Sequence, residues 1–139
     1  MNKTYIHPTQ EAGKAFFSRP IEGKVVMLNL LRFKEVADYS EFPALAPSAA
    51  ISGRVAYERY MQAVTPLLQQ AGSEVLFMGQ GNTYLIGPPD EQWDVVLLVR
   101  HASSQRFLQF ASDEAYQKIA GHRTAALADA RLLPILEGY

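Results

Sequence analysis

The stretch from Trp93 to Arg100, WDVVLLVR, carries five consecutive aliphatic residues, and this run constrains the fold more than any other feature of the chain. A strand with one face in water alternates apolar and polar side chains, whereas a continuous apolar run needs cover on both faces. Trp93 to Arg100 is therefore expected to be a central strand. Lys24 to Phe33, KVVMLNLLRF, is a second such run, interrupted only by Asn29 and Arg32. Side chains alternate along a strand, so Asn29 and Arg32 fall on opposite faces unless a bulge intervenes.

The 139 residues and 48% hydrophobic content suit one domain with one core, spanning residues 1–139. Thirteen basic and fourteen acidic residues are mixed along the chain, with a net charge of -1 and no basic field for phosphate backbones. No nucleic-acid partner is expected. The chain has no cysteine, which excludes disulfides, thiol nucleophiles and cysteine-ligated metals and suits the cytosol. No apolar run approaches the roughly 20 residues that span a bilayer, and Tyr5-Ile6-His7-Pro8 does not resemble a signal-peptide core. The expectation is a cytoplasmic protein without a membrane segment.

Pro8 to Ser18 reads as a short helix, with Thr9 as cap and Pro20 just beyond its end. Glu35 to Gly53 has no period and forms a long loop with Tyr39 and Phe42 as apolar anchors; a surface insertion and a lid or dimer-contacting arm are both open readings. Arg54 to Ala71 is the clearest amphipathic helix, with Gly72 as its stop and a kink or break expected at Pro66. Glu74 to Met78 and Thr83 to Ile86 read as one bent strand or a bulged pair around Gly79-Gln80-Gly81-Asn82. After the Trp93 strand, Ser103 and Ser104 can cap one short helix and Ser112-Asp113-Glu114 a second, and His122 to Leu127 is a further helical turn or a loop. Asp129 to Leu136 is a last strand, placed at an edge by Pro134.

Strand, helix, two strands, helical segment and strand make the ferredoxin-like βαββαβ pattern, an α+β fold with a four-stranded antiparallel sheet and an extra N-terminal helix. Its first and third strands are the middle pair, and Arg32 and Asp94 then become candidates for a cross-strand ion pair. Helices cover one sheet face only. A second copy is the simplest cover for the other, which predicts a homodimer through sheet faces.

The segments VVMLNLLRFKE, the Tyr57/Tyr60 helix, EVLFMGQG, IGPPDEQWDVVLLVR and SDEAYQKIAGHRTAALADARLLP together resemble the domain-of-unknown-function family numbered 1330. The resemblance runs from about Lys24 to Pro134. It implies membership of the dimeric α+β barrel superfamily, and so a dimeric barrel and no established general activity. The N-terminal helix and the Glu35–Gly53 loop are extra relative to shorter members.

His7, His101 and His122 lack metal-ligand spacing, so neither a metal nor another cofactor is expected. Gly79-Gln80-Gly81-Asn82 lacks the third glycine and the following helix of a phosphate loop, and reads more simply as a bulge or turn. The candidate site residues are polar groups at the border of an apolar interior. His122 and Arg123 are the catalytic candidates, as proton mover and anion clamp, against the alternative of a surface pair closing a helix. Asn29, Tyr57, Tyr60, Trp93 and Arg100 are the ligand-binding candidates. For Asn29 the alternative is a bond to neighbouring backbone or a tyrosine hydroxyl; for the tyrosines, core packing; for Arg100, a bond to Glu74 or Asp129. Two functions follow: binding of a small metabolite between sheet and helices, or a cofactor-independent enzyme, resembling monooxygenases or isomerases, on a small aromatic or carboxylated substrate.

Overall fold

The two apolar runs pair with each other in the middle of one sheet. The computed structural model describes residues 3–137. Strand β1 (Val25–Phe33) and strand β3 (Val95–His101) are antiparallel neighbours, with Leu31 opposite Val95 and Val25 opposite His101. Strand β2 (Glu74–Gln80) pairs with β3, and β4 (Leu127–Leu136) pairs with β1, giving the order β2-β3-β1-β4. This is the expected ferredoxin-like arrangement, and β4 lies at the edge that Pro134 requires.

Alternation sorts the strand residues. Val25, Met27, Asn29 and Leu31 of β1 and Val95, Leu97, Val99 and His101 of β3 are all buried on the inner face. Helix α2 (Gly53–Gln70) stands over that face, presenting Tyr57, Tyr60, Val64 and Leu68 at helical spacing. Its start is fixed by Ser52 Oγ, which accepts from Val55 N at 3.1 Å, and the chain leaves its end at Gly72, whose φ of 74° suits glycine. Of the kink or break expected at Pro66, the break does not occur: the helix is continuous through it. Helices α3 (Ser104–Ser112), α4 (Glu114–Ile119) and α5 (Gly121–Ala126) complete the layer, the first two capped by Ser103 and Asp113. Helix α1 (Gln10–Phe17), capped by Thr9, touches α3 through a Phe17–Phe107 stack.

The long loop between β1 and α2 is anchored as its aromatic residues suggested. Tyr39 is buried, Phe42 packs on the backbone of Gly121, and Asp38 N donates to Ala125 O at 2.9 Å. A 3₁₀ turn at Pro43–Leu45 follows.

Three expectations need correction. The sheet does not close into a barrel: β2 bonds to β3 and β4 to β1, leaving two edges on opposite sides of the central pair. Four strands are too few to curl round an interior, which takes about eight. The two-sided apolarity of β1 and β3 belongs to an open sheet instead. Arg32 does not pair with Asp94, because the β1–β4 register sets it opposite Asp129, 3.7 Å away. Asp94 precedes β3 and accepts from Phe33 N at 2.8 Å. The predicted strand over Thr83 to Ile86 is reduced to one isolated bridge between Thr83 and Gln92.

Candidate functional site: a cavity between sheet and helices

A cavity of about 990 Å³ lies between the inner sheet face, helices α2 to α5 and the N-terminal segment with α1. Its floor is Met27 and Asn29 of β1, Leu97 and Val99 of β3, and Leu132 and Pro134 of β4. Tyr57, Tyr60, Met61, Val64 and Leu68 of α2 form one wall, and Phe16 and Phe17 of α1 form part of the roof. Apolar walls with a few converging polar groups are the usual make-up of a small-molecule site.

Four of the seven residues singled out in the sequence meet here: Asn29, Tyr57, Tyr60 and Arg123. Asn29 donates its amide to Met27 O at 3.2 Å and Leu97 O at 3.3 Å, the backbone bonds expected of a buried strand amide. Among the described residues its Oδ1 has no donor, and no fully sealed side-chain oxygen or nitrogen lacks a partner, so Oδ1 opens on the cavity. By the same reasoning the Tyr57 hydroxyl, unbonded within a side chain that is 2% exposed, also faces the cavity. The Tyr60 hydroxyl bonds that of Tyr116 at 2.9 Å.

Burial is the main cause that raises both the Tyr57 and the Tyr60 phenol above their usual pKa, with Arg123 opposing the shift in each case. Both remain neutral hydrogen-bonding groups at neutral pH. Arg123 is held at the N-terminal segment by a 2.8 Å bond from Nη1 to Ile6 O. Among the described residues no carboxylate forms an ion pair with it. The cavity thus offers a permanent cation together with three phenols and an amide oxygen, a set suited to an anionic oxygen.

The other three candidates lie elsewhere. His122 Nδ1 bonds the Tyr39 hydroxyl at 2.7 Å, and burial, followed by the charge of Arg59, lowers its pKa. Trp93 is buried, donates Nε1 to the Tyr84 hydroxyl at 2.6 Å and lies under the Arg131 guanidinium. Arg100 sits on the outer sheet face between Glu74 and Glu137, as the alternative for it anticipated in part. Sequence reasoning missed Tyr116 and His101, both of which line the cavity. The parity of β3 holds the signal for His101, two residues beyond Val99 on the inner face. Among the described residues, no group of three or more His, Asp or Glu is placed to hold a metal ion, and no helix is long and apolar enough to cross a membrane.

The family described as "Domain of unknown function (DUF1330)" matches residues 44–139, more than half of the chain. The chain is a member of the DUF1330 family. A DUF1330 match over this range takes in α2 to β4 and leaves α1 and β1 outside. The protein is similar over its whole fold to the RPA0582 protein of unknown function from Rhodopseudomonas palustris, at 32% identity with a TM-score of 0.84, covering 96% of both chains. The methylated form of RPA0582 aligns equally well, over 95% of this chain and 93% of that one. A dimeric protein of unknown function with a ferredoxin-like fold from Bacteroides fragilis shares the fold at 10% identity, with a TM-score of 0.50 over 81% of this chain and 94% of that one. No curated protein matches the chain.

Proposed function

We propose that this protein binds a small metabolite with an apolar body and an anionic group in the cavity between sheet and helices. The observation that carries the reading is Arg123, a guanidinium lining a largely apolar cavity with one bond to Ile6 O and no carboxylate partner among the described residues. Arg123 is half-buried, so its charge loses part of its hydration there, and a ligand carboxylate or enolate can pair with it in bidentate fashion. Tyr57, Tyr60 and Asn29 orient the rest of the molecule. A catalytic reading needs a group to move protons, and His122, the candidate for that task, is engaged with Tyr39 away from the cavity. Binding is therefore the better-supported function.

A thermal-shift series of aryl and alkyl carboxylates, each run beside its methyl ester, tests it. A ligand that binds only the native state raises the melting temperature. The free acids should do so and the esters should do so much less. No shift with any acid, or equal shifts with the esters, would remove the proposal.

We also infer that the chain forms a homodimer through the outer face of its sheet. By register, Val26, Leu28, Leu30, Val96, Leu98 and Leu133 share that face, and Leu133 is 59% exposed. Monomers rarely leave so continuous an apolar patch in water, and a two-fold pairing covers it with itself. The Bacteroides fragilis relative of the same fold is described as dimeric. Sedimentation equilibrium at micromolar concentration should give twice the chain mass; a stable monomer would rule the pairing out.

A further inference from the structure

At the end of the cavity away from Arg123 lies a second polar group. His101, 3% exposed, is the last residue of β3 and lines the wall. Its Nδ1 is 2.7 Å from the hydroxyl of Ser73, itself buried, and the rings of Phe107 and Phe110 lie against the imidazole at 4.8 and 5.9 Å between centroids. The ring is thus fixed in position and plane. Among the described residues Nε2 has no partner, yet it is not sealed, because every fully sealed side-chain nitrogen and oxygen is bonded. Nε2 therefore opens on the cavity. Burial pushes the His101 pKa down to about 4, so at neutral pH the imidazole is an uncharged hydrogen-bonding group.

The two polar groups lie at opposite ends of the sheet. His101 is opposite Val25, whereas Arg123 is tied to Ile6, next to Tyr5, whose carbonyl accepts from Ala130 N opposite Leu31. Val25 and Leu31 are separated by about 20 Å of strand at the usual rise, and both side chains reach inward from those ends. Between them the walls are mainly apolar, with Met27, Leu97, Val99, Met61 and Val64, and Asn29 lies part-way along, opposite Leu97.

We propose that the ligand is bipolar: an anionic group at Arg123, an apolar body along the sheet, and a neutral hydroxyl or carbonyl at His101 Nε2. This rests on the reading of the cavity as a ligand site and narrows its ligand class. A second carboxylate at the His101 end is disfavoured, since a neutral imidazole leaves it buried and uncompensated.

Calorimetric titration with three matched sets of about eight to twelve carbons tests it: alkanoates, ω-hydroxyalkanoates and α,ω-dicarboxylates. At the best length the ω-hydroxy acid should bind about five-fold or more tightly than the plain acid, and the diacid least tightly. In His101→Leu the hydroxyl advantage should disappear, so that the ω-hydroxy acid binds no more tightly than the plain acid of the same length. The ¹⁵N resonance of His101 Nε2 should move with the hydroxy acid and not with the plain acid. Equal binding of plain and hydroxy acids at every length, or preference for the diacid, would overturn the second pole and leave the Arg123 site standing. If no member of any set binds, the ligand-site reading falls and the pole with it.

Discussion

His122 and Arg123 are adjacent in the chain, yet they face different surroundings. The His122 imidazole meets the Tyr39 hydroxyl at 2.7 Å with the two rings edge to face, whereas the Arg123 guanidinium reaches Ile6 O and the cavity. A base and an anion clamp in one site would need both side chains on one side of α5. The pair is instead divided between anchoring the long loop and lining the cavity.

Tyr39→Phe and His122→Asn should each destabilise the fold by about 0.5–1.5 kcal/mol, the usual net value of one hydrogen bond. The double variant should cost less than the sum, since both singles break the same bond. Urea unfolding of the four proteins measures the coupling. Carboxylate binding should be unchanged throughout.

Stability should fall in acid because of His101. Its folded pKa, near 4, is depressed below the free-histidine value of 6.5, so its stabilising contribution is complete above that value. As the pH drops from about 6.5 towards 4, the unfolded chain takes up a proton that the folded chain resists, and the contribution is lost. His122 is shifted in the same direction and adds to the slope. Urea midpoints between pH 4 and 8 should decline less steeply for His101→Gln than for the wild type.

Asp129 holds the N-terminal segment to β4. It is 2% exposed, and its Oδ1 accepts from Tyr5 N at 2.8 Å and Arg131 Nη1 at 2.6 Å, with Arg32 3.7 Å from Oδ2. Breaking a fully buried pair costs about 3–5 kcal/mol; both arginines here reach solvent, so Asp129→Ala should cost about 2–4 kcal/mol. Hydrogen exchange at Tyr5 and Ala130 should accelerate well before global unfolding, because those two amides depend on this junction.

Much of this was legible in the sequence, for reasons that differ by element. Continuous apolarity placed β1 and β3 at the centre, and Pro134 put β4 at an edge, because both features bear directly on backbone pairing. Thr9, Ser103 and Asp113 marked their helices through the hydrogen bonds that cap them. The partner of Arg32 depends on how β4 slides along β1, which no local pattern sets. The divergence of His122 and Arg123 was hidden because α5 has only six residues, too few for a helical period to show which side faces inward. Apolar residues on both strand faces predicted two covers, but they say nothing about whether a sheet closes on itself.

Gly53, the first residue of α2, sits where the long loop returns to the end of β1. Its N–H donates to Lys34 O at 3.0 Å, and a Cβ there would lie 2.2 Å from that oxygen and 2.6 Å from Ala126 O. Neither backbone atom can move without disturbing β1 or α5. Gly53→Ala should destabilise by about 1–3 kcal/mol despite its better helix propensity, as read by thermal or urea unfolding.

The Arg123 guanidinium is the centre of the binding account, and calorimetric titration of wild type and Arg123→Met with naphthalene-2-carboxylate tests it most directly. The methionine keeps the apolar length of the side chain and removes the charge. The account predicts one site per chain in the wild type and an affinity lower by at least about ten-fold in the variant, the range for a hydrogen bond to a charged group. Equal affinities, or no binding to the wild type, would contradict it.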